Sequence, residues 1–148
     1  MVFACGDALR GDDAVAWLAV KRLSGDVLTK AELRFVAALE PEYLTALPTG
    51  VKVIIVDALV GPAPGRIVEM DLLEMSDRAA AVVTTSSHQL PLHEVVGLAQ
   101  LLRDEPVEGL LVGMGIESVS LGGELSAAVA GAIPALRSAV AAAVLRMR

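Results

Sequence analysis

The sequence predicts an α/β fold in which a mostly parallel sheet carries helices on both faces. Apolar runs of strand length alternate along the chain with segments whose apolar residues recur every three to four positions, as in amphipathic helices. The connections between these segments are short, which favours neighbouring strands and helices that pack back onto them. The predicted strand Val51–Val56 ends in a β-branched run without polar alternation. Such a run is typical of a strand buried on both faces of a parallel sheet.

Length and composition indicate one compact domain over residues 1–148. The chain has 148 residues, of which 55% are hydrophobic and 20% are charged, and this excludes a disordered chain. A domain of this size buries roughly 70% of the surface of its unfolded chain, so it can fold without disulfides or metal. Cys5 is the single cysteine and is expected to be a small buried apolar residue. No signal sequence opens the chain, so a cytoplasmic location is expected.

Charge and composition argue against nucleic acid and membrane as partners. The formal net charge of −6 repels phosphate backbones and anionic lipid surfaces. Aromatic residues make up 3% of the chain, which leaves few stacking platforms for bases. Charges, Pro or Gly interrupt the apolar segments before they reach about 18 residues, the length of a membrane-spanning helix. We therefore expect no nucleic-acid and no membrane partner.

The first half of the chain is predicted to alternate strictly between strands and helices. The segments, in the order strand, helix, strand, helix and strand, are Met1–Cys5, Val15–Leu23, Leu33–Leu39, Pro41–Leu47 and Val51–Val56. Pro41 suits the first turn of a helix, where its missing N–H would be unpaired in any case. Asp57 follows the third strand at its carboxyl end.

The second half is predicted to continue the alternation after a rigid turn over residues 61–65. The segments are an edge strand, a strand, a helix, a strand and a final helix, over Arg66–Leu72, Ala79–Thr85, Pro91–Leu102, Leu110–Met114 and the region from Ser126 onward. Pro134 lies inside the last helix and is expected to kink or split it.

Polar loops follow three of the predicted strands, and ligands of open α/β sheets bind at the carboxyl ends of strands. These loops are Gly6–Asp13, Asp57 and Ser86–His88. The first loop lacks the Lys-Ser/Thr ending of a P-loop and the three spaced glycines of a dinucleotide site. Phosphate binding is therefore not expected there.

Asp12 and Asp13 directly precede the first helix and are assigned different roles. Asp is among the best helix-capping residues, and a cap is the favoured role of Asp12. Adjacent helical residues point about 100° apart, so Asp13 is then directed elsewhere, across the strand ends. Only one of the two is expected to be a metal ligand.

Asp57 and His88 complete the candidate set. An acid after so apolar a strand costs several kcal/mol unless it is compensated, either by a cation or by N–H groups of the following loop. His88 lies in the loop before a helix, whereas His93 falls on the predicted solvent side of that helix, so His88 is the favoured ligand. A hydrogen-bonded loop histidine is the alternative. Together, Asp13, Asp57 and His88 would leave coordination positions open for substrate.

Four segments, in order, resemble the motifs of the hydrogenase maturation proteases. Residues 6–13 resemble the family's opening Gly-Asn-x-Leu-x-x-Asp-Asp/Glu motif, with Asp7 in place of Asn. Val56-Asp57-Ala58 with the Pro64-Gly65 turn is similar to the second acidic motif, and Ser87-His88 resembles the histidine motif. The segment from Val112-Gly113 to Ser126 resembles the closing motif. Ala14 and Ala16 stand where members of the family often have glycines.

The resemblance implies a three-layer α/β/α fold of the phosphorylase/hydrolase-like type and a peptidase activity. It implies that Asp13, Asp57 and His88 bind nickel and carry out catalysis. The nickel would be supplied by the substrate, a nickel-iron hydrogenase large-subunit precursor whose C-terminal extension is removed, and no organic cofactor is implied. Zinc or cadmium would substitute in vitro. Nickel would activate water or polarise the carbonyl, with either Asp57 or Asp13 assisting proton transfer.

Two alternatives to this peptidase are open. One is a metal-dependent hydrolase of another small substrate. The other is a non-catalytic binding protein that checks the metal loading of a partner.

Overall fold

The computed structural model describes residues 1–75, 83–84, 90–120 and 122–147, and these residues form a sheet covered by helices on both faces. The strands are β1 Val2–Cys5, β2 Leu33–Val36, β3 Val53–Val60, β4 Ile67–Asp71, β5 Val83–Thr84 and β6 Gly109–Gly115. The helices are α1 Val15–Val20, α2 Gly25–Leu28, α3 Pro41–Thr45, α4 Leu72–Met75, α5 Leu92–Leu102 and α6 Ala127–Arg146. A 3₁₀ helix, Gly11–Ala14, precedes α1.

The sheet is mixed and mostly parallel, which confirms the predicted fold class. Its strand order is β2-β1-β3-β6-β4, and the first four of these strands run parallel. β4 is antiparallel to β6 at one edge, as expected of an edge strand. β5 is antiparallel to the last residues of β3. The carboxyl ends of β1, β3 and β6 therefore meet at one edge of the sheet.

Alternate residues of the central strand β3 enter two separate cores, as the period of two in a strand requires. Ile54, Val56 and Ala58 pack into the core beneath α1, α2 and α6. Val53, Ile55 and Leu59 pack into the opposite core beneath α3, α4 and α5. The three layers expected from the sequence are therefore present among the described residues.

Two of the differences from the sequence prediction concern β3 and α6. β3 does not end before Asp57 but continues to Val60, because β6 pairs with it as far as Leu59 and β5 pairs with its last two residues. Pro134 does not split the last helix, which is continuous over Ala127–Arg146. Proline removes one N–H donor from the helix, and the apolar stripe that α6 buries against the sheet holds the two halves in line.

Two smaller differences concern the helices. The short α2 was not expected from the sequence. The short α4 was not expected either, because the sequence predicted a strand up to Leu72 with no helix directly after it.

α6 is long and apolar enough, by length and composition, to span a bilayer. One face of it is buried in the core with α1 and the sheet, through Val129, Ile133, Leu136, Val140 and Val144. A core helix of this composition meets the same length and hydropathy criteria.

Candidate active site

A gap beside β3 defines the position of the site. β1 pairs with β3 only as far as Ala4 opposite Val56, and β5 joins the same side of β3 only at Leu59. Asp57 and Ala58 thus lie between the end of one neighbouring strand and the start of the next. The structure places Asp57 at this gap, inside a strand rather than after one.

The Asp57 carboxylate accepts a hydrogen bond from a backbone N–H group of β3 that faces the gap beyond the end of β1. The N–H of Ile54 donates to the carbonyl oxygen of Met1, directly before β1, at 2.9 Å, so every second residue of β3 counted from Ile54 directs its N–H group to that side. The Ala58 N–H therefore faces the gap, and it donates to Asp57 Oδ1 at 2.8 Å. Asp57 is 8% exposed. One of the two compensations expected from the sequence, a backbone N–H group, is thus present.

Gly6 allows the second carboxylate to approach. β1 ends at Cys5, and Gly6 turns the chain with a φ of +135°, which L side chains rarely adopt. A Cβ at Gly6 would lie 2.1 Å from the carbonyl oxygen of Asp13. The absent side chain therefore lets the 3₁₀ helix that carries Asp13 pack directly against the end of β1.

Asp13 is held at the same edge by its own loop. Its Oδ2 accepts a hydrogen bond from the Asp7 N–H at 3.0 Å, and its side chain is almost completely buried. Asp13 therefore lies between the ends of β1 and β3, as the sequence predicted.

The two carboxylates influence each other electrostatically. Burial raises the pKa of Asp57, and the negative charge of Asp13 raises it further, to about 7, against a smaller opposing effect of the Ala58 N–H. Burial also raises the pKa of the Cys5 thiol well above its ordinary value, with contributions from both carboxylates. Asp13 and Asp57 thus share one low-dielectric site, with Cys5 as the protonated, buried residue expected from the sequence.

Asp12 has a structural role, but not as the cap of its own helix. No side chain caps the 3₁₀ helix or α1. The fully buried Asp12 carboxylate accepts hydrogen bonds from the N–H groups of Glu117, Ser118 and Ser126 at 2.8–3.0 Å, and from the Ser126 hydroxyl at 2.9 Å. The local capping prediction is therefore wrong, because the carboxylate crosses to the loop after β6.

Hydrogen bonding fixes the charge state of Asp12. Burial acts to raise the pKa of Asp12, but the bonds from Ser126, Glu117 and Ser118 outweigh burial and hold the pKa below its ordinary value. Asp12 is consequently an anion that joins two loops at this edge of the sheet.

The loop after β6 is the part of the site that the residue pattern alone did not predict, although the family resemblance included the segment from Val112 to Ser126 as its closing motif. The three polar loops predicted at this edge of the sheet did not include the segment that follows Gly115. The available signal was the parallel orientation expected for β6, which brings its carboxyl end to the same edge as those of β1 and β3.

His88 lies outside the described residues. His93 is half-buried rather than on the solvent side, and its Nδ1 is buried without a hydrogen-bond partner in the described part of the chain. Within that same part, no three His, Cys, Asp or Glu residues are grouped so that they could hold a metal ion. The structure therefore brings Asp13 and Asp57 together, and the predicted third ligand is not described.

The carboxylate pair suits two kinds of chemistry. Two buried acids at one site favour a divalent cation, which neutralises charges that otherwise repel each other. A carboxyl group with a pKa near neutrality can also accept and release a proton at physiological pH. Both are properties of a hydrolytic site.

A comparison with protein-family models identifies one family. The model described as hydrogenase maturation protease matches residues 37–143. A comparison with curated protein sequences gives no match.

Several solved structures share the fold over nearly the whole chain. The hydrogenase maturating endopeptidase HybD from E. coli is 24% identical, with a TM-score of 0.72 over 98% of this chain and 91% of that one. The [NiFe] hydrogenase maturation protease HybD from Thermococcus kodakarensis is 22% identical, with a TM-score of 0.65 over 94% of each chain. HycI from the same organism is 23% identical, with a TM-score of 0.65 over 97% of this chain and 90% of that one.

Proposed function

The chain belongs to the hydrogenase maturation protease family, and we propose that it removes the C-terminal extension of a nickel-iron hydrogenase large-subunit precursor after nickel insertion. One observation carries this proposal. Asp13 and Asp57 are buried together at the carboxyl edge of the sheet, where the charge of Asp13 raises the pKa of Asp57. A cytoplasmic location is part of the same proposal, because nickel insertion would precede any export of the precursor.

Nickel enters this proposal as part of the substrate. Asp13, Asp57 and His88 would contact the ion that the precursor carries, since carboxylate and imidazole groups are suitable ligands for it. Chain connectivity supports the inclusion of His88. Thr84 pairs with Leu59, two residues after Asp57 in β3, and His88 follows Thr84 by four residues. Zinc or cadmium would replace nickel in vitro, and no organic cofactor is needed.

A divalent ion relieves the repulsion between the two acids, and this makes metal loading recognisable. With nickel bound to the precursor, the ion supplies the positive charge that the carboxylate pair favours. Without nickel, the precursor would bring no positive charge to the two carboxyl groups. The site would therefore bind the loaded precursor in preference to the unloaded one.

Asp57 is the residue that we assign to proton transfer. Its carboxylate takes a proton from water as the water oxygen attacks the carbonyl carbon of the scissile peptide bond. The C–N bond then breaks, and the same proton passes to the departing amine. The substrate's nickel acts as a Lewis acid in this step. Without metal, burial and the charge of Asp13 raise the pKa of Asp57 to about 7, which makes its carboxylate a stronger base than an ordinary one. Contact with the substrate's nickel would lower this pKa and help Asp57 to release the proton to the amine.

Intact-mass measurement of a nickel-loaded precursor, incubated with the chain, tests this proposal. Wild type should shorten the precursor, whereas Asp13→Asn, Asp57→Asn and His88→Ala should reduce the rate by at least about 100-fold, the lower range for loss of a proton-transfer group. His93→Ala is the matched control and should retain most of the activity.

The alternatives give different results in the same assay. Metal-dependent complex formation without cleavage would indicate a metal-checking binding protein. Hydrolysis of simple substrates by zinc-loaded chain, with the precursor left intact, would indicate a different metal-dependent hydrolase. An equal loss of activity in His88→Ala and His93→Ala would mean that His88 is not the third ligand.

A further inference from the structure

Leu9 combines an exposed side chain with a fixed backbone. Its side chain is 70% exposed, although leucine is among the residues most often buried. Its N–H donates to Asp7 Oδ1 at 2.8 Å, and its carbonyl oxygen accepts a hydrogen bond from the Gly122 N–H at 2.8 Å. The main chain of Leu9 is thus held from both sides while the side chain projects into solvent.

The turn that carries Leu9 also holds Asp13. The Arg10 N–H donates to the Asp7 carbonyl at 3.2 Å, and the Asp13 N–H donates to the Arg10 carbonyl at 3.0 Å. Asp7 connects the two ends of this turn, since its side chain accepts the Leu9 N–H and its own N–H donates to the Asp13 carboxylate. Leu9 is therefore two hydrogen bonds away from a predicted nickel ligand.

Leu9 lies on a rim that two loops form. The first loop is residues 7–13, and the second is residues 117–120 and 122–126. The buried Asp12 carboxylate joins the two loops through Glu117, Ser118 and Ser126, and the Gly122–Leu9 bond joins them again. A contact that is already ordered before binding loses little conformational entropy when a partner arrives. An apolar side chain presented in this way is suited to bury itself in a partner.

We propose that Leu9 is a specificity-determining contact for the precursor protein, and this inference rests on the function proposed above. The occupant follows from the position. Leu9 lies on the same hydrogen-bonded turn as Asp13 and is largely exposed, so a protein substrate bound at Asp13 would cover the turn that carries Leu9. Leu9 enters an apolar recess on the precursor surface and so places the nickel and the scissile segment at the two carboxylates.

Binding and cleavage by matched leucine variants test this inference. Leu9→Ala and Leu9→Asp are compared with Leu101→Ala and Leu101→Asp, because Leu101 is 84% exposed but lies on α5, away from the rim. Dissociation constants for the nickel-loaded precursor are measured with every variant in an Asp57→Asn background, so that the effect of Asp57 on binding cancels. Cleavage rates are measured without that background as a function of precursor concentration.

Leu9→Ala should weaken binding about tenfold and Leu9→Asp more strongly, as at a central interface residue. KM should rise by a similar factor with kcat nearly unchanged, and both Leu101 variants should match their parents. Unchanged binding in the Leu9 variants, a loss of kcat alone, or an equal loss in the Leu101 variants would each overturn the inference. If the Asp57→Asn parent binds through Leu9 but wild type does not cleave, the inference stands and the proposed peptidase function fails. If wild type neither binds nor cleaves the precursor, both fail.

Discussion

A carboxyl group that is nearly out of water and beside a second carboxyl group costs the fold free energy whenever it is charged. Asp57 is such a group, with its pKa raised to about 7 by burial and by the charge of Asp13. An apolar residue at this position would pack more favourably into the strand. The presence of an acid at position 57 is therefore explained by what Asp57 binds or transfers rather than by its effect on the stability of the fold.

The raised pKa makes stability depend on pH. Between the ordinary value of 3.8 and about 7, the folded chain binds more protons than the unfolded chain, so the free energy of unfolding decreases as pH rises through this window. The full effect is about 4 kcal/mol. Urea unfolding at about pH 4.5 and about pH 8, near the two ends of that window, tests this. Wild type should show the loss of unfolding free energy at the higher pH. The loss should be much smaller in Asp57→Asn, which cannot be charged. Equal pH slopes in the two proteins would contradict the assignment.

Asp12 should behave differently from its neighbour. Asp12→Ala leaves three partly buried N–H groups without their charged acceptor, so it should lower the free energy of unfolding by about 3 kcal/mol. That loss corresponds to a fall in Tm of about 6–12 °C for a chain of this length. Asp13→Asn should lower Tm less and abolish processing. A melt unaffected by Asp12→Ala would show that the two loops hold together without this carboxylate.

The sequence located the two acids of the pair but not the partners of Asp12. Asp57 could be found because it directly follows an apolar run of strand length, and Asp13 because its polar loop follows another such run at the edge where ligands bind. The partners of Asp12 are 105 to 114 residues away along the chain. A hydrogen bond over that separation depends on the packing of β6 and α6 and leaves no local signal in the sequence.

At the scale of secondary-structure elements, the site depends on how β1 ends. Gly6 turns the chain out of the sheet with a positive φ, and the 3₁₀ helix then packs back onto the turn. The same turn ends the pairing of β1 with β3 and leaves the gap at Asp57 and Ala58. One glycine thus allows Asp13 to approach the end of β1 and leaves the gap beside Asp57.

Gly6→Ala should therefore disturb both the fold and the activity. The new Cβ would collide with the Asp13 carbonyl, and the φ of +135° is unfavourable for alanine, so we expect a loss of about 3 kcal/mol. The folded fraction should also fail to process the precursor, because Asp13 must shift. Gly131→Ala is the matched control. It lies in α6 with no atom within 4 Å of its added Cβ, and it should stabilise the chain by up to about 1 kcal/mol.

The strands and helices show which features of an element the sequence encodes. The type of element was predicted where the apolar pattern is clear. β1 and β6 are continuous apolar runs, and α5 has apolar residues at helical spacing. The end of β3 was predicted too early, because an acid looks like a strand end unless the pairing of β5 and β6 is known. The continuity of α6 through Pro134 likewise depends on packing against the sheet, which outweighs the local effect of proline.

At the scale of the whole molecule, the mostly parallel sheet brings the loops after β1, β3 and β6 to one edge, where they supply an acid pair and a fixed rim. The fold is shared with solved maturation proteases over nearly the full length of the chain. The described part of the site has two carboxylates and no complete metal-binding group. In the proposed function, the metal that meets this acid pair arrives with the substrate.

The nickel dependence of precursor processing is the most direct test of this function. Wild-type chain is incubated with nickel-loaded and with nickel-free large-subunit precursor, and the intact mass of each precursor is followed over time. We predict that the loaded precursor loses its C-terminal extension and that the nickel-free precursor keeps it, because only the loaded form brings the cation that Asp13 and Asp57 favour. Equal shortening of both forms, or shortening of neither, would contradict the proposal that nickel in the substrate directs this site.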